Sequence, residues 1–124
     1  MIVFTEKDAD GTLPWYLDGF SFVQDTPLGA QRVGQLRCRR ERGSADSPLL
    51  MLNHWADLFP PRVKANRPFL TERFLLKRAH RCAAKRGMPV SLIAVDHYEQ
   101  GDLIEAVDKL NAERVEAARA RGAG

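Results

Sequence analysis

Four short apolar runs in this sequence each give way to polar or ionisable residues, and these junctions hold most of its chemically useful side chains. Ile2 to Thr5 leads into Glu6 and Lys7, Ser21 to Gln24 into Asp25 and Thr26, Leu49 to Leu52 into Asn53, His54 and Trp55, and Ser91 to Val95 into Asp96, His97 and Tyr98. In parallel α/β folds functional groups gather at the C-terminal ends of strands. The pattern therefore places carboxylates, imidazoles, an amine and an amide along one edge, a set suited to general acid–base chemistry or to holding a polar ligand. Asp96 directly follows an apolar strand and needs a partner there; it would orient a histidine, as acids do in triads, or cap a loop amide. His54 and His97 could approach each other and, with Asp25 or Asp96, hold a metal, but their spacing matches no ligand motif. No metal or other cofactor is expected. His80 sits in a basic helix and reads as a surface residue, while Trp15 and Trp55 read as packing under loops or stacking on a ring. The sequence has no Gly-rich phosphate loop, no Gly-x-Ser-x-Gly elbow and no dinucleotide fingerprint.

The elements that must position these groups follow from the apolar pattern. Leu49-Leu50-Met51-Leu52 and Leu92-Ile93-Ala94-Val95 are apolar on both faces, as strands of parallel sheets are when helices cover them. One helix is expected from Pro68 to Arg86, with Leu75, Ala79, Cys82 and Ala83 on one face and Gly87 and Pro89 as its stop. A second is expected from Asp102, capped by that residue in a box with Glu105, braced by an i, i+4 pair between Glu105 and Lys109, and fraying after Arg114. The segment Gly11 to Gly19 reads as a long loop over one end of the sheet. Strand, helix, strand with a crossover helix implies parallel, right-handed pairing. The expected fold is α/β, with four mainly parallel strands and two main helices, either a small open sheet or half of an eight-stranded barrel.

The 124 residues suffice for one modest domain, with 44% hydrophobic and 28% charged residues. No apolar stretch reaches the ~18 residues that span a bilayer, and no signal peptide opens the chain. Because Met1 runs straight into a core-like strand, a truncated product or a misassigned start is expected. The net charge is +3. Its basic excess lies in Arg37, Arg39, Arg40 and Arg42 and in Lys77, Arg78, Arg81, Lys85 and Arg86. Such clusters could meet phosphates, but interleaved acids such as Glu41 and Glu72 favour a solvated face. Without interleaved aromatics or a helix-turn-helix pattern, nucleic acid is not an expected partner. Cys38 and Cys82 have no zinc spacing; they are a disulfide candidate or two buried thiols, and the residues leave this open.

In order and spacing, several segments resemble the end of bacterial proteins with a phosphatidylinositol-specific phospholipase C X-like domain. They are Ile2-Val3-Phe4-Thr5-Glu6, Pro14-Trp15-Tyr16, Phe22-Val23-Gln24-Asp25-Thr26, Leu50-Met51-Leu52-Asn53-His54-Trp55, Arg81-Cys82-Ala83, Ile93-Ala94-Val95-Asp96-His97-Tyr98, Gly101-Asp102-Leu103 and Leu110-Asn111. The resemblance implies the C-terminal half of a TIM-like barrel over residues 1–113, followed by a frayed polar tail over 114–124. It implies phosphodiester cleavage of a lipid headgroup, with Asp96 as the aspartate that holds a catalytic histidine, Asp25 as a contact to the inositol ring and Lys7 as a loose counterpart of a basic pocket residue. Asn53 and Trp55, at a neighbouring strand end, join them as candidate substrate contacts. The family's two catalytic histidines and its phosphate-binding arginine come from strands with no counterpart in this sequence, and His54 and His97 do not match the catalytic positions. The resemblance therefore implies negligible activity of the chain by itself, and pairing with a missing N-terminal half or self-association to cover its open edges. The competing expectation is a non-catalytic module that binds a phosphorylated headgroup. The parent family is often secreted; the sequence does not fix where this chain resides.

Overall fold

The computed structural model describes residues 1–7, 9–56 and 67–122. The chain is mixed α/β, with parallel strands in two small sheets. Strand β1 (Val3–Thr5) pairs in parallel with β2 (Tyr16–Asp18). A one-turn helix, α1 (Gly19–Phe22), leads directly into β3 (Val23–Asp25). The second sheet has the order β3, β4 (Leu49–Asn53), β5 (Val90–Ala94), again all parallel, with Asp25 opposite Met51 and Asn53 opposite Ala94. Helix α2 (Glu72–Arg86) is the crossover between β4 and β5, and α3 (Leu103–Gly122) follows β5.

The second sheet forms where apolar character is densest. Leu50 and Leu52 of β4, Val90 of β5 and Ala79 and Cys82 of α2 make one buried cluster with Cys38. A helix spacing of three and four residues brings Leu75, Ala79 and Cys82 onto the sheet-facing stripe. The stop at Gly87 is as the sequence requires: its φ is 66°, the left-handed region that a glycine enters cheaply, and its N–H donates to Ala83 O. Cys38 and Cys82 are joined as a disulfide, which ties the Arg-rich connection to the middle of α2.

Several expectations are corrected. The strands form sheets of two and three rather than a single sheet of four, and Tyr16 to Asp18, within the expected loop, supplies an additional strand. Ser21 and Phe22 belong to α1, not to a strand, because the Asp18 carboxylate accepts from Ser21 N at 3.0 Å and turns the chain. That turn passes so close to β1 that a Cβ on Gly19 would lie 2.9 Å from Thr5 O. The Asp102 carboxylate caps the other helix: its Oδ2 accepts from Glu72 N at 3.1 Å, at the start of α2, where Thr71 makes no side-chain cap of its own. Lys109 likewise reaches Glu72 at 2.7 Å rather than its i−4 neighbour Glu105, so both polar devices staple α3 to α2. Finally, α3 does not fray at Arg114. It remains helical to Gly122, solvent-exposed all round beyond Leu110. Residues 123 and 124 of the expected tail lie outside the described residues. Among the described residues, no helix is long and apolar enough to cross a membrane.

Candidate functional site

At the C-terminal end of β3, Asp25 is fully buried, and both of its carboxylate oxygens accept hydrogen bonds. Oδ1 accepts from the backbone N of Arg42 at 2.9 Å; Oδ2 accepts from Arg42 Nε at 2.8 Å, Arg42 Nη2 at 2.5 Å and Asn53 Nδ2 at 3.0 Å. The segment carrying Arg42 lies against β3 through Glu41 N to Asp25 O (2.9 Å) and Asp25 N to Arg42 O (3.2 Å). This close approach requires Gly43, whose φ of 81° and contact with the backbone of Val23 and Gln24 leave no room for a Cβ. The Arg42 guanidinium stacks 4.5 Å from the Phe20 ring centroid, and its Nη1 reaches Glu6 Oε1 at 3.1 Å. Glu6, just past β1, is thereby joined to the end of β3.

The neighbouring strand end continues the network inward. Asn53 donates through Nδ2 to Thr26 O at 2.5 Å, and its backbone N donates to Thr26 Oγ1 at 2.9 Å. Arg78, on α2 and 2% exposed, is the centre of the deepest part. Nη1 donates to Asn53 O at 2.9 Å and to His54 Nδ1 at 3.0 Å; Nη2 donates to Thr26 Oγ1 and to Arg37 O, each at 3.3 Å. A guanidinium can only donate, so His54 Nδ1 carries a lone pair and Nε2 carries the proton, which it gives to Phe69 O at 2.9 Å. His54 is thus neutral, with both nitrogens engaged.

The residues picked from the sequence divide accordingly. Asp25 and Asn53 are hydrogen-bonded partners in a buried network. Trp55 is half-buried beside it. Lys7 is exposed, and its backbone bonds to the Thr5 hydroxyl. Asp96 is exposed just beyond β5, at the same end of the sheet as Asp25 and Asn53; it has no ion pair among the described residues. The exposed His97 ring pairs loosely with Glu99 at 3.6 Å, and the exposed His80 pairs with Glu113 at 2.7 Å. No family, curated protein or solved structure matches this chain.

Two residues that hold the edge together, Arg42 and Arg78, were hidden among the basic clusters. Arg78 carried a signal: it stands three residues after Leu75 and four before Cys82, on the buried stripe of α2 rather than on its solvated face. Among the described residues, no group of three or more His, Cys, Asp or Glu side chains converges as a metal site would require. What the edge offers chemically is a rigid, polar, pre-bonded rim with its carboxylate spoken for. Among the described residues, the paired Arg42 and Glu6 at its margin remain partly exposed, and Lys7 and Asp96 are exposed just past β1 and β5.

Burial pushes the His54 imidazole down to about 4; the Phe69 carbonyl partly opposes this and the Arg78 charge adds to it. The unfolded chain takes up a proton near 6.5, whereas the folded chain resists until about 4. Stability is therefore undiminished by this group above 6.5 and falls as the pH drops from there to about 4, by on the order of 3 kcal/mol in total. Urea unfolding of wild type and His54→Gln across that window checks it: the wild-type midpoint should fall with acid, and the variant should lose that part of the slope.

Proposed function

We propose that this chain is part of a phosphoric diester hydrolase of the phosphatidylinositol-phospholipase-C-like type, corresponding to the C-terminal half of its TIM-like barrel and inactive by itself. The observation that carries this reading is the alignment of β3, β4 and β5 as neighbouring parallel strands, which brings Asp25 and Asn53 into one hydrogen-bonded rim with Asp96 beyond the same end of the sheet. Parallel strands that present polar groups at their C-terminal ends are where barrel enzymes do chemistry. On this reading Asp25 acts through Arg42: a carboxylate at 0% exposure touches no headgroup directly, but it fixes the guanidinium, which is partly exposed and could meet ring hydroxyls or phosphate. Asp96 stays available to orient a histidine, and Lys7 and Trp55 flank the rim.

Phosphodiester cleavage through a cyclic product needs one group to take a proton from the attacking hydroxyl and another to give one to the leaving oxygen. His54 is unsuited to either role, being neutral, buried and committed on both nitrogens. That inertness also favours a second reading, a module that binds a phosphorylated headgroup without cleaving it. The purified chain is expected to release no inositol phosphate from phosphatidylinositol above the no-protein background. Measurable release that disappears in Asp96→Asn would show that the chain supplies its own acid and base and would overturn the proposed inactivity.

A further inference from the structure

Outside the strand-end rim, α2 and the Gly34 to Cys38 segment enclose a cleft of about 270 Å³. Arg37, Lys77, Arg78, Arg81 and Lys85 line it together with Phe74, and among the described residues no acidic one does. None of these five cations has an acidic partner among the described residues, in contrast to Arg39, Arg42 and Lys109, which are all paired. The solvated-face reading of the basic clusters does not account for this. On a helix surface positive charges are normally interleaved with acids, whereas here they converge on a concavity.

The cleft is also built. Arg81 Nη2 donates to Leu36 O at 3.1 Å, Arg78 Nη2 to Arg37 O at 3.3 Å and Arg86 Nη1 to Cys38 O at 3.4 Å, so three successive carbonyls are held by three arginines of one helix. The disulfide from Cys38 to Cys82 locks the same wall. The buried Arg78 side chain still has its Nε–H without an acceptor among the described residues. Burial lowers the Arg78 pKa to about 10, and the positive charge of Arg81, one turn on along the same helix, adds to the effect. The volume lies below the ~300 Å³ at which pockets begin to hold drug-sized ligands, and suits a small anion.

We propose that this cleft is a binding site for a phosphate monoester, with Lys77, Arg81 and Lys85 meeting the dianion and the ester's organic part lying toward Phe74. The site shares Arg78 with the strand-end network, but Lys77, Arg81 and Lys85 lie outside that network, and anion binding needs no acid–base pair. A phosphate dianion satisfies several N–H donors at once and relieves the repulsion among them.

The test uses the full chain with glycerol 2-phosphate as probe, followed by titration calorimetry at low ionic strength, and the paired variant Lys77→Gln/Lys85→Gln. Both lysines are exposed, so the variant keeps the fold, and an unchanged thermal midpoint verifies this. Saturable binding by wild type that weakens at least tenfold in the variant is expected. Phosphatidylcholine vesicles with and without phosphatidic acid tell the source. Capture by phosphatidic acid that depends on the lysines makes the ester a lipid headgroup; binding of the soluble ester alone makes it a free metabolite. No saturable binding by wild type, or equal binding by the variant, would overturn the proposal.

Discussion

Replacing Arg78 by Met is expected to cost about 3 kcal/mol of folding stability, a large share of the ~5–15 kcal/mol that holds a domain together. The side chains are close in size, so the effect does not come from a cavity. It comes from four acceptors, Asn53 O, His54 Nδ1, Thr26 Oγ1 and Arg37 O, that lose a donor in a region with almost no access to water. Part of the loss is offset, because Met also removes the penalty of burying a cation that has no ion-pair partner among the described residues. Arg78→Lys should fall between, since an ammonium keeps the charge but cannot span four acceptors in a plane. Equilibrium unfolding in urea gives the numbers. A loss below about 1 kcal/mol for the Met variant would mean that the guanidinium does not join β3, β4 and the Arg37 segment as described.

Removing the disulfide should cost about as much. Cys38 and Cys82 are separated by 44 positions, and closing a loop of that size restricts the unfolded chain by about 4 kcal/mol. Cys38→Ser/Cys82→Ser is expected to unfold at clearly lower urea than wild type, and dithiothreitol should lower the wild-type midpoint to match. Identical curves with and without reductant would contradict a formed bond. The two effects should not add: Arg78 and the disulfide brace the same segment, Arg37 to Cys38, so the combined variant should lose less than the sum.

The central sheet was legible because its strands are written as unbroken apolar runs, even though Leu92 of β5 stays exposed. Leu49 to Leu52 and Ser91 to Ala94 admit few other readings, and the helix between them forces parallel pairing. Gly87 was legible as a stop for the same local reason. The short elements were not. Tyr16 to Asp18 is a strand by virtue of pairing with β1, a non-local event that three residues after Pro14-Trp15 cannot announce. Asp18 did carry a cue, as an N-cap three residues before Ser21, that Ser21 and Phe22 turn rather than extend.

At the strand ends the sequence located the polar groups but not their partners. It placed Asp25, Asn53 and Asp96 on one edge. Nothing in their spacing says that Arg42 would come back through the Gly43 turn to saturate Asp25, or that a mid-helix arginine would organise His54. Asp102 shows the same limit: a cap-like residue is recognisable locally, while the amide it caps, on Glu72, is thirty positions away. Such pairings are decided by tertiary approach, which local pattern does not encode.

The most direct test of the proposed function joins this chain to the histidine-bearing strands of such a barrel. Fused behind the N-terminal half of a phosphatidylinositol-phospholipase-C-like barrel, it should release inositol cyclic phosphate from phosphatidylinositol, with turnover falling at least about a hundredfold in Asp96→Asn, because the histidine that Asp96 orients would lose its place for proton transfer. A folded fusion that releases nothing, or one whose turnover ignores Asp96, would contradict the assignment of this sheet edge to phosphodiester chemistry.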